Sequence, residues 1–176
     1  MGVLLMLGLD RPFFSWWALE TNVLIVATLS IIPLCAVLCL TLHSRSGPLH
    51  PIRRWLEETL RPLLKEWRMW QIGCLSLLAG IGEELFFRGA IQNWLQIWWG
   101  SAPALILTSI LFGALHYVNL AYALVSSLMA LFLGVLMLAT HSLVAPILTH
   151  VSYDFFALVY LSRFHQPQSP SDCPTS

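Results

Sequence analysis

The sequence predicts an all-α protein: a polytopic membrane helix bundle of about five transmembrane helices, with one amphipathic helix at the membrane surface. Two observations concern composition. Of the 176 residues, 57% are hydrophobic and only 10% are charged, and the mean hydropathy is +0.74. A soluble domain has about 45–50% apolar and about 25% charged residues. The third observation is that the apolar residues fall into runs long enough to cross about 30 Å of hydrocarbon.

The predicted spans follow one another closely along the chain. The first, residues 22–42, has no charged residue, and Pro33 inside it is expected to kink the helix without ending it. Residues 52–69 alternate basic and acidic residues with apolar ones at helical spacing, which is typical of an amphipathic helix on a membrane surface. The other four spans are predicted, in chain order, at residues 72–98, 104–117, 120–139 and 143–161.

The basic residues predict the orientation of the bundle. Six of the nine Lys and Arg residues lie in the connector between the first two spans: Arg45, Arg53, Arg54, Arg61, Lys65 and Arg68. By the positive-inside rule, this connector, residues 43–70, faces the cytoplasm. With five spans, the amino terminus then lies outside and the carboxyl-terminal tail is cytoplasmic. The net charge of zero and the lack of an extended basic patch argue against a nucleic-acid partner.

We expect a single folded unit. Residues 1–165 are predicted to form one membrane-embedded domain, and we see no internal repeat. Residues 166–176 are rich in Pro and Ser and are predicted to be a disordered polar tail.

Ionisable residues inside three of the predicted spans are the most informative feature. They are Glu83, Glu84 and Arg88 in the second span, His116 in the third, and His150 and Asp154 in the fifth. Each costs several kcal/mol in hydrocarbon, so such groups are seldom without a function. At 1.5 Å of rise per residue, Glu83, both histidines and Asp154 fall within about 6 Å of the bilayer centre. We therefore expect one polar site inside the bundle.

Helical spacing assigns different roles to the two glutamates. Glu84 and Arg88 are four residues apart in the order that favours an ion pair, whereas Glu83 points about 100° away from Glu84. The simpler alternatives are a purely structural ion pair and histidines that only hydrogen-bond between helices. The other histidines fall in loops or in the tail and are expected to be solvated: His43, His50, His141 and His165.

A carboxylate and imidazoles in a cavity of low dielectric constant can activate a water molecule for attack on an amide. Glu83, His116 and His150 could instead bind a zinc ion that keeps one position open for water. The helix-borne HExxH zinc motif is absent. The residues alone leave the metal-dependent and the metal-free site open.

Three motifs follow in order on the second, third and fifth predicted spans: Glu83-Glu84-x-x-x-Arg88, Phe112-x-x-x-His116 and His150-x-x-x-Asp154. Together they resemble the CPBP family, also called Abi or CAAX-protease-like, over residues 71–161. Members are intramembrane endopeptidases that process prenylated CaaX proteins in eukaryotes, with bacterial relatives tied to bacteriocin maturation and self-immunity. The resemblance implies a multi-pass protein of the bacterial inner (plasma) membrane, surrounded by lipid and acting on a membrane-associated or lipid-modified protein or peptide.

The resemblance also implies a role for each residue. Glu83 and His116 would activate the water, His150 and Asp154 would hold the oxyanion, and Glu84 with Arg88 would support the site. Of the two mechanisms, it favours the one without a metal. The family's last motif more often ends in Asn, and an ionised carboxylate cannot donate a hydrogen bond. Asp154 would then have to be protonated or to orient His150.

Two other functions fit the same residues. A non-catalytic immunity or scaffolding protein could use the polar cluster to bind a partner. A proton- or ion-coupled carrier also uses buried acids and histidines, although the lack of an inverted repeat argues against it. The sequence does not predict the oligomeric state.

Overall fold

The computed structural model describes residues 16, 17 and 19–165, so the predicted polar tail lies outside the described residues. The described part of the chain is helical and contains no strand. We number six helical rods in chain order. The first three are α1 (Thr21–His43), α2 (His50–Trp55, Leu56–Leu60 and Arg61–Leu64) and α3 (Met69–Glu84, Leu85–Gln92 and Asn93–Trp99). They are followed by α4 (Ser101–Leu115), α5 (Leu120–Thr140) and α6 (Val144–Val159 and Tyr160–Phe164).

The predicted fold class is confirmed. By length and composition, α1, α5 and α6 can each cross a membrane, and α4 is a shorter apolar helix. The second predicted span corresponds to α3, which carries the charged motif and whose middle segment, Leu85–Gln92, is π-helical. A π-helical turn inside an α-helix often accompanies a functional site.

Short turns connect the rods. Gly100 adopts a positive φ of 79° between α3 and α4, a conformation that costs glycine little. Asn119 caps α5, since its side-chain oxygen accepts a hydrogen bond from the backbone N–H of Tyr122. Consecutive rods joined this tightly run antiparallel, which brings the end of α4 next to the start of α5.

Small residues allow the helices that carry the polar motifs to approach closely. A Cβ atom at Gly80 of α3 would overlap Val151 of α6. One at Gly113 of α4 would overlap the side chain of Ser127 on α5. Close contacts of this kind are how helices associate where lipid removes the hydrophobic driving force. They bring the polar residues of α3, α4 and α6 to a common interior.

The amphipathic helix α2 is shorter than predicted and also takes part in the interior. Its apolar side chains Ile52, Leu56 and Leu64 are buried against Leu42 of α1 and Leu161 of α6. The predicted apolar side of this amphipathic helix thus packs on the bundle. Burial of this apolar area is the force that holds α2 in place.

Polar contacts join α2 to the end of α6. Arg53 Nε donates to Glu57 Oε1 at 3.0 Å, and His165 Nε2 donates to the same oxygen at 2.6 Å. Arg61 Nε donates to the carbonyl oxygen of His165 at 3.1 Å. The expectation that His165 is solvated is therefore wrong, because it is paired with a residue 108 positions away.

The pKa of Glu57 reflects these contacts. Burial alone would raise this pKa, but the hydrogen bonds from His165 and Arg53 outweigh it and hold the pKa below its usual range. Glu57 is thus kept ionised where α2 meets α6.

Candidate active site

Glu84 and Arg88 form the expected ion pair one turn apart on α3. Arg88 Nη1 donates to Glu84 Oε1 at 2.9 Å, and the two side chains are 1% and 0% exposed. Arg88 Nη2 also donates to the backbone carbonyl oxygen of Ala130 on α5, at 2.8 Å. The guanidinium lies over the ring of Phe112 on α4, with Cζ 5.2 Å from the ring centroid. The pair therefore links α3 to both α4 and α5.

The same carboxylate oxygen of Glu84 also holds His150 of α6. His150 Nδ1 lies 2.8 Å from Glu84 Oε1. Because this oxygen already accepts from Arg88, and an ionised carboxylate has no proton to give, Nδ1 is the donor. This contact fixes the imidazole orientation and turns Nε2 towards Glu83. The sequence did not predict this contact. Spacing along each helix places Glu84 and His150 at similar depths in the membrane, but it does not determine which side chains of neighbouring helices meet.

Glu83 lies between the two histidines. Its Oε1 is 3.7 Å from His116 Nε2, and its Oε2 is 3.9 Å from His150 Nε2. Asp154 Oδ2 lies 3.5 Å from the same His150 Nε2. The structure thus brings together the four residues that the sequence singled out: Glu83, His116, His150 and Asp154.

His116 is oriented by its own motif. Its Nδ1 lies 2.9 Å from the carbonyl oxygen of Phe112, and because a carbonyl can only accept, Nδ1 is the donor. The imidazole stacks on the Phe112 ring, with centroids 4.2 Å apart and planes within 12°. The four-residue spacing of Phe112-x-x-x-His116 therefore gives the histidine a platform and turns Nε2 towards Glu83.

A cavity of about 180 Å³ opens in front of these groups. Glu83, His116 and Asp154 are 29%, 30% and 23% exposed, whereas His150 is 4% exposed. Apolar side chains of α1 and α2 line the same cavity: Val37, Leu38, Ile52, Leu56 and Leu60. A polar end and an apolar wall in one cavity suit an amide bond carried by an apolar molecule.

Four hydroxyl side chains that the sequence analysis did not single out also line this cavity: Thr41 of α1, Tyr122 and Ser126 of α5, and Tyr153 of α6. No motif marks them. The only available signal was the place of Tyr122 close after His116, at the start of the next span.

The fit of a metal ion can be judged from the possible ligands. Among the described residues, no group of three or more His, Cys, Asp or Glu side chains is arranged to hold a metal ion. In each histidine the hydrogen-bonded atom is Nδ1, to Phe112 and to Glu84, and Nε2 faces Glu83. The zinc site considered for Glu83, His116 and His150 stays a prediction, and we derive no step through a metal.

Comparison with known protein families identifies the chain. Residues 65–156 match the family described as Type II CAAX prenyl endopeptidase Rce1-like. This chain belongs to that family. The match covers more than half of the chain and includes every residue of the candidate site, so the resemblance inferred from the three motifs is confirmed.

Membership makes the chain a membrane protein of a CAAX protease family, in agreement with three helices of the described residues that are long and apolar enough to span a membrane. No curated protein and no solved structure gives a significant match.

Proposed function

We propose that this protein is an intramembrane endopeptidase that hydrolyses a peptide bond of a membrane-associated or lipid-modified protein or peptide, using a water molecule activated by Glu83 and His116. The observation that carries the proposal is the position of the Glu83 carboxylate between two imidazole Nε2 atoms, 3.7 and 3.9 Å away, at the polar end of an otherwise apolar cavity. Membership of a CAAX prenyl endopeptidase family supports the substrate class.

The gap between Glu83 and His116 suits a water molecule. At 3.7 Å, Glu83 Oε1 and His116 Nε2 are too far apart for a good direct hydrogen bond. A water placed to one side of the line between them can lie about 2.8 Å from both atoms. Such a water would donate to the carboxylate, which makes Glu83 the general base and His116 the residue that orients the water.

The reaction then proceeds by ordinary proton and electron movements. The water oxygen forms a bond to the carbonyl carbon as its proton passes to Glu83, and the carbonyl electrons move onto oxygen to give a tetrahedral oxyanion. Collapse of this intermediate breaks the C–N bond, and the leaving nitrogen takes the proton from Glu83. His150 and Asp154 line the space where the oxyanion would form, and Glu84 with Arg88 holds His150 in place.

The side of the membrane follows from charge. The cavity is covered by α2, which lies within the basic connector 43–70. If this connector is cytoplasmic, as the positive-inside rule predicts, the substrate enters from the cytoplasmic leaflet. The proposed location is the inner (plasma) membrane of a bacterium, where surrounding lipid would deliver an anchored substrate.

The test uses purified protein in lipid nanodiscs with a farnesylated CaaX-type peptide. Wild-type protein should cleave the peptide, whereas Glu83→Gln and His116→Ala should lower the turnover rate about 10³-fold or more. Glu58→Gln and His141→Ala are the matched controls, because both parent residues are exposed and neither lines the cavity; these variants should cleave normally.

Two outcomes would contradict the proposal in different ways. Retention of more than a tenth of the wild-type rate by Glu83→Gln would rule out this carboxylate as the base. Binding of the peptide without cleavage, unchanged by Glu83→Gln, would favour the non-catalytic scaffolding protein instead.

A further inference from the structure

The four motif residues supply few hydrogen-bond donors for an oxyanion. His116 and His150 each donate through Nδ1 to the protein, to Phe112 and to Glu84. His150 Nε2 faces two acids, Asp154 at 3.5 Å and Glu83 at 3.9 Å. An ionised Asp154 accepts hydrogen bonds and donates none. A tetrahedral intermediate in this cavity therefore calls for a donor from outside the motifs, because donors aimed at the oxyanion are usually the largest single contribution to such a reaction.

Four hydroxyl side chains line the cavity, and that of Thr41 donates to the carbonyl oxygen of Val37 at 2.8 Å. The other three are candidates: Tyr122, Ser126 and Tyr153. None of the three hydroxyls is hydrogen-bonded to another of the described residues. Each hydroxyl is thus available to a molecule in the cavity. A phenol that lines the cavity and has no partner among the described residues can donate a hydrogen bond to a bound molecule.

Charge distinguishes Tyr122 from the others. The hydroxyl of Tyr122 interacts electrostatically with both Asp154 and Glu83. That of Tyr153 interacts with Asp154 but not with Glu83. Ser126, one turn beyond Tyr122 on α5, has a much shorter side chain. Of the two phenols, that of Tyr122 is therefore the one within electrostatic range of both carboxyl groups, beside which the attacked carbonyl would lie.

The surroundings of Tyr122 hold its ring in place. Its backbone N–H donates to Asn119 Oδ1 at 2.9 Å in the first turn of α5. Its ring packs edge-on against Trp55 of α2, with centroids 5.1 Å apart and planes at 64°. A donor fixed from two sides needs little reorganisation when the negative charge develops, which is the property of an effective oxyanion donor.

We propose that the Tyr122 hydroxyl is a catalytic hydrogen-bond donor that stabilises the tetrahedral oxyanion beside Asp154. This inference rests on the proposed function, because it assigns a further residue of the same reaction. It also gives α2 a second role: Trp55 would position Tyr122, so the helix that covers the cavity would help to set the geometry of the donor.

The first experiment compares hydroxyl deletions in the peptide assay described above. Tyr122→Phe should lower kcat by about 10²-fold or more and leave KM within about threefold, as expected for a donor used only in the transition state. Tyr153→Phe should lose less than about tenfold on the same scale. Tyr160→Phe, the matched control on the exposed end of α6, should be unchanged. A loss below threefold for Tyr122→Phe, or an equal loss for Tyr153→Phe, would overturn the assignment.

The second experiment restores a donor at position 154. In an Asp154→Asn background the amide can donate, so Tyr122→Phe should now lower kcat by no more than about tenfold. The same loss in both backgrounds would contradict the proposal, because Tyr122 would then act independently of Asp154.

The third readout does not depend on turnover. With 3-fluorotyrosine incorporated, the ¹⁹F resonance that disappears in Tyr122→Phe should shift on Asp154→Asn, whereas that of Tyr160 should stay in place. No shift would place the phenol away from Asp154 and overturn the inference, even for a protein that cleaves its peptide. Normal cleavage by Glu83→Gln, by contrast, would contradict the proposed function itself.

Discussion

Glu83 and Glu84 are neighbours with identical side chains, yet the fold gives them opposite surroundings. Glu84 is 0% exposed, and one of its oxygens accepts hydrogen bonds from both Arg88 and His150. Glu83 is 29% exposed, and its oxygens stand 3.7 and 3.9 Å from the histidines. One carboxylate is committed to the protein and the other is left to the cavity. The 100° step of a helix is enough to separate a buried, paired carboxylate from one that faces the cavity.

The buried Glu84–Arg88 pair should contribute most to stability. Arg88→Met leaves the buried Glu84 carboxylate without its cation, so the free energy of unfolding should fall by about 3–5 kcal/mol. Denaturation of the protein in mixed micelles measures this. Arg54→Met is the control, since Arg54 forms an i,i+4 ion pair with Glu58, at 3.0 Å, on the exposed surface of α2. Removing this exposed pair should not change the free energy of unfolding measurably. Equal stability of both variants would refute the difference.

Exchanging each neighbouring glutamate for glutamine sharpens the comparison. Glu84→Gln removes a charged acceptor from two buried donors, so we expect a loss of about 1–3 kcal/mol. Glu83→Gln should leave the thermal midpoint unchanged, because no described residue lies within hydrogen-bonding distance of its carboxylate. Activity should fall in both variants, but only the Glu84 variant should also melt earlier. Thermal unfolding in detergent measures both midpoints. Equal midpoints for Glu83→Gln and Glu84→Gln would contradict the difference between the two carboxylates.

A smaller effect is expected at the junction of α2 and α6. Glu57→Gln weakens the hydrogen bonds from Arg53 and His165 and should lower the thermal midpoint, whereas Glu58→Gln on the exposed side of α2 should not. The pKa of Glu57 is lowered in the folded state. Its contribution to stability is therefore present above the unfolded pKa of about 4.3 and is lost as the pH falls through the folded value. The thermal midpoint should therefore depend less on pH in Glu57→Gln than in the wild-type protein. An identical pH dependence in both proteins would contradict the pairing.

Metal removal should have the smallest effect. Because the proposed reaction uses Glu83 and His116 without a metal ion, incubation with a chelator should leave the cleavage rate within about twofold of the untreated protein. A rate that falls with chelator and returns with zinc would contradict the metal-free mechanism.

Part of this arrangement could be read from the sequence. The Glu84–Arg88 pair followed from four-residue spacing, and counting 1.5 Å per residue placed Glu83, His116 and His150 at similar depths. The family followed from the same residues. These predictions rely on distances along a single helix, which local geometry determines.

The rest depends on how helices rotate against one another, which spacing does not report. The Glu84–His150 hydrogen bond and the His165–Glu57 pair join residues 66 and 108 positions apart. The place of Tyr122 in the cavity depends on the same inter-helix packing. So does the covering role of α2, because amphipathic spacing predicts an apolar side but does not say whether lipid or protein covers it.

The central claim is that Glu83 removes a proton from water and does not itself attack the peptide bond. A single turnover in H₂¹⁸O, with enzyme in excess over the farnesylated peptide and mass spectrometry of the new carboxyl group, tests this most directly. The account predicts that all of the new carboxyl product carries one ¹⁸O atom. Product that instead carries an unlabelled oxygen from the enzyme would show that Glu83 forms a covalent bond with the substrate, and would contradict the account.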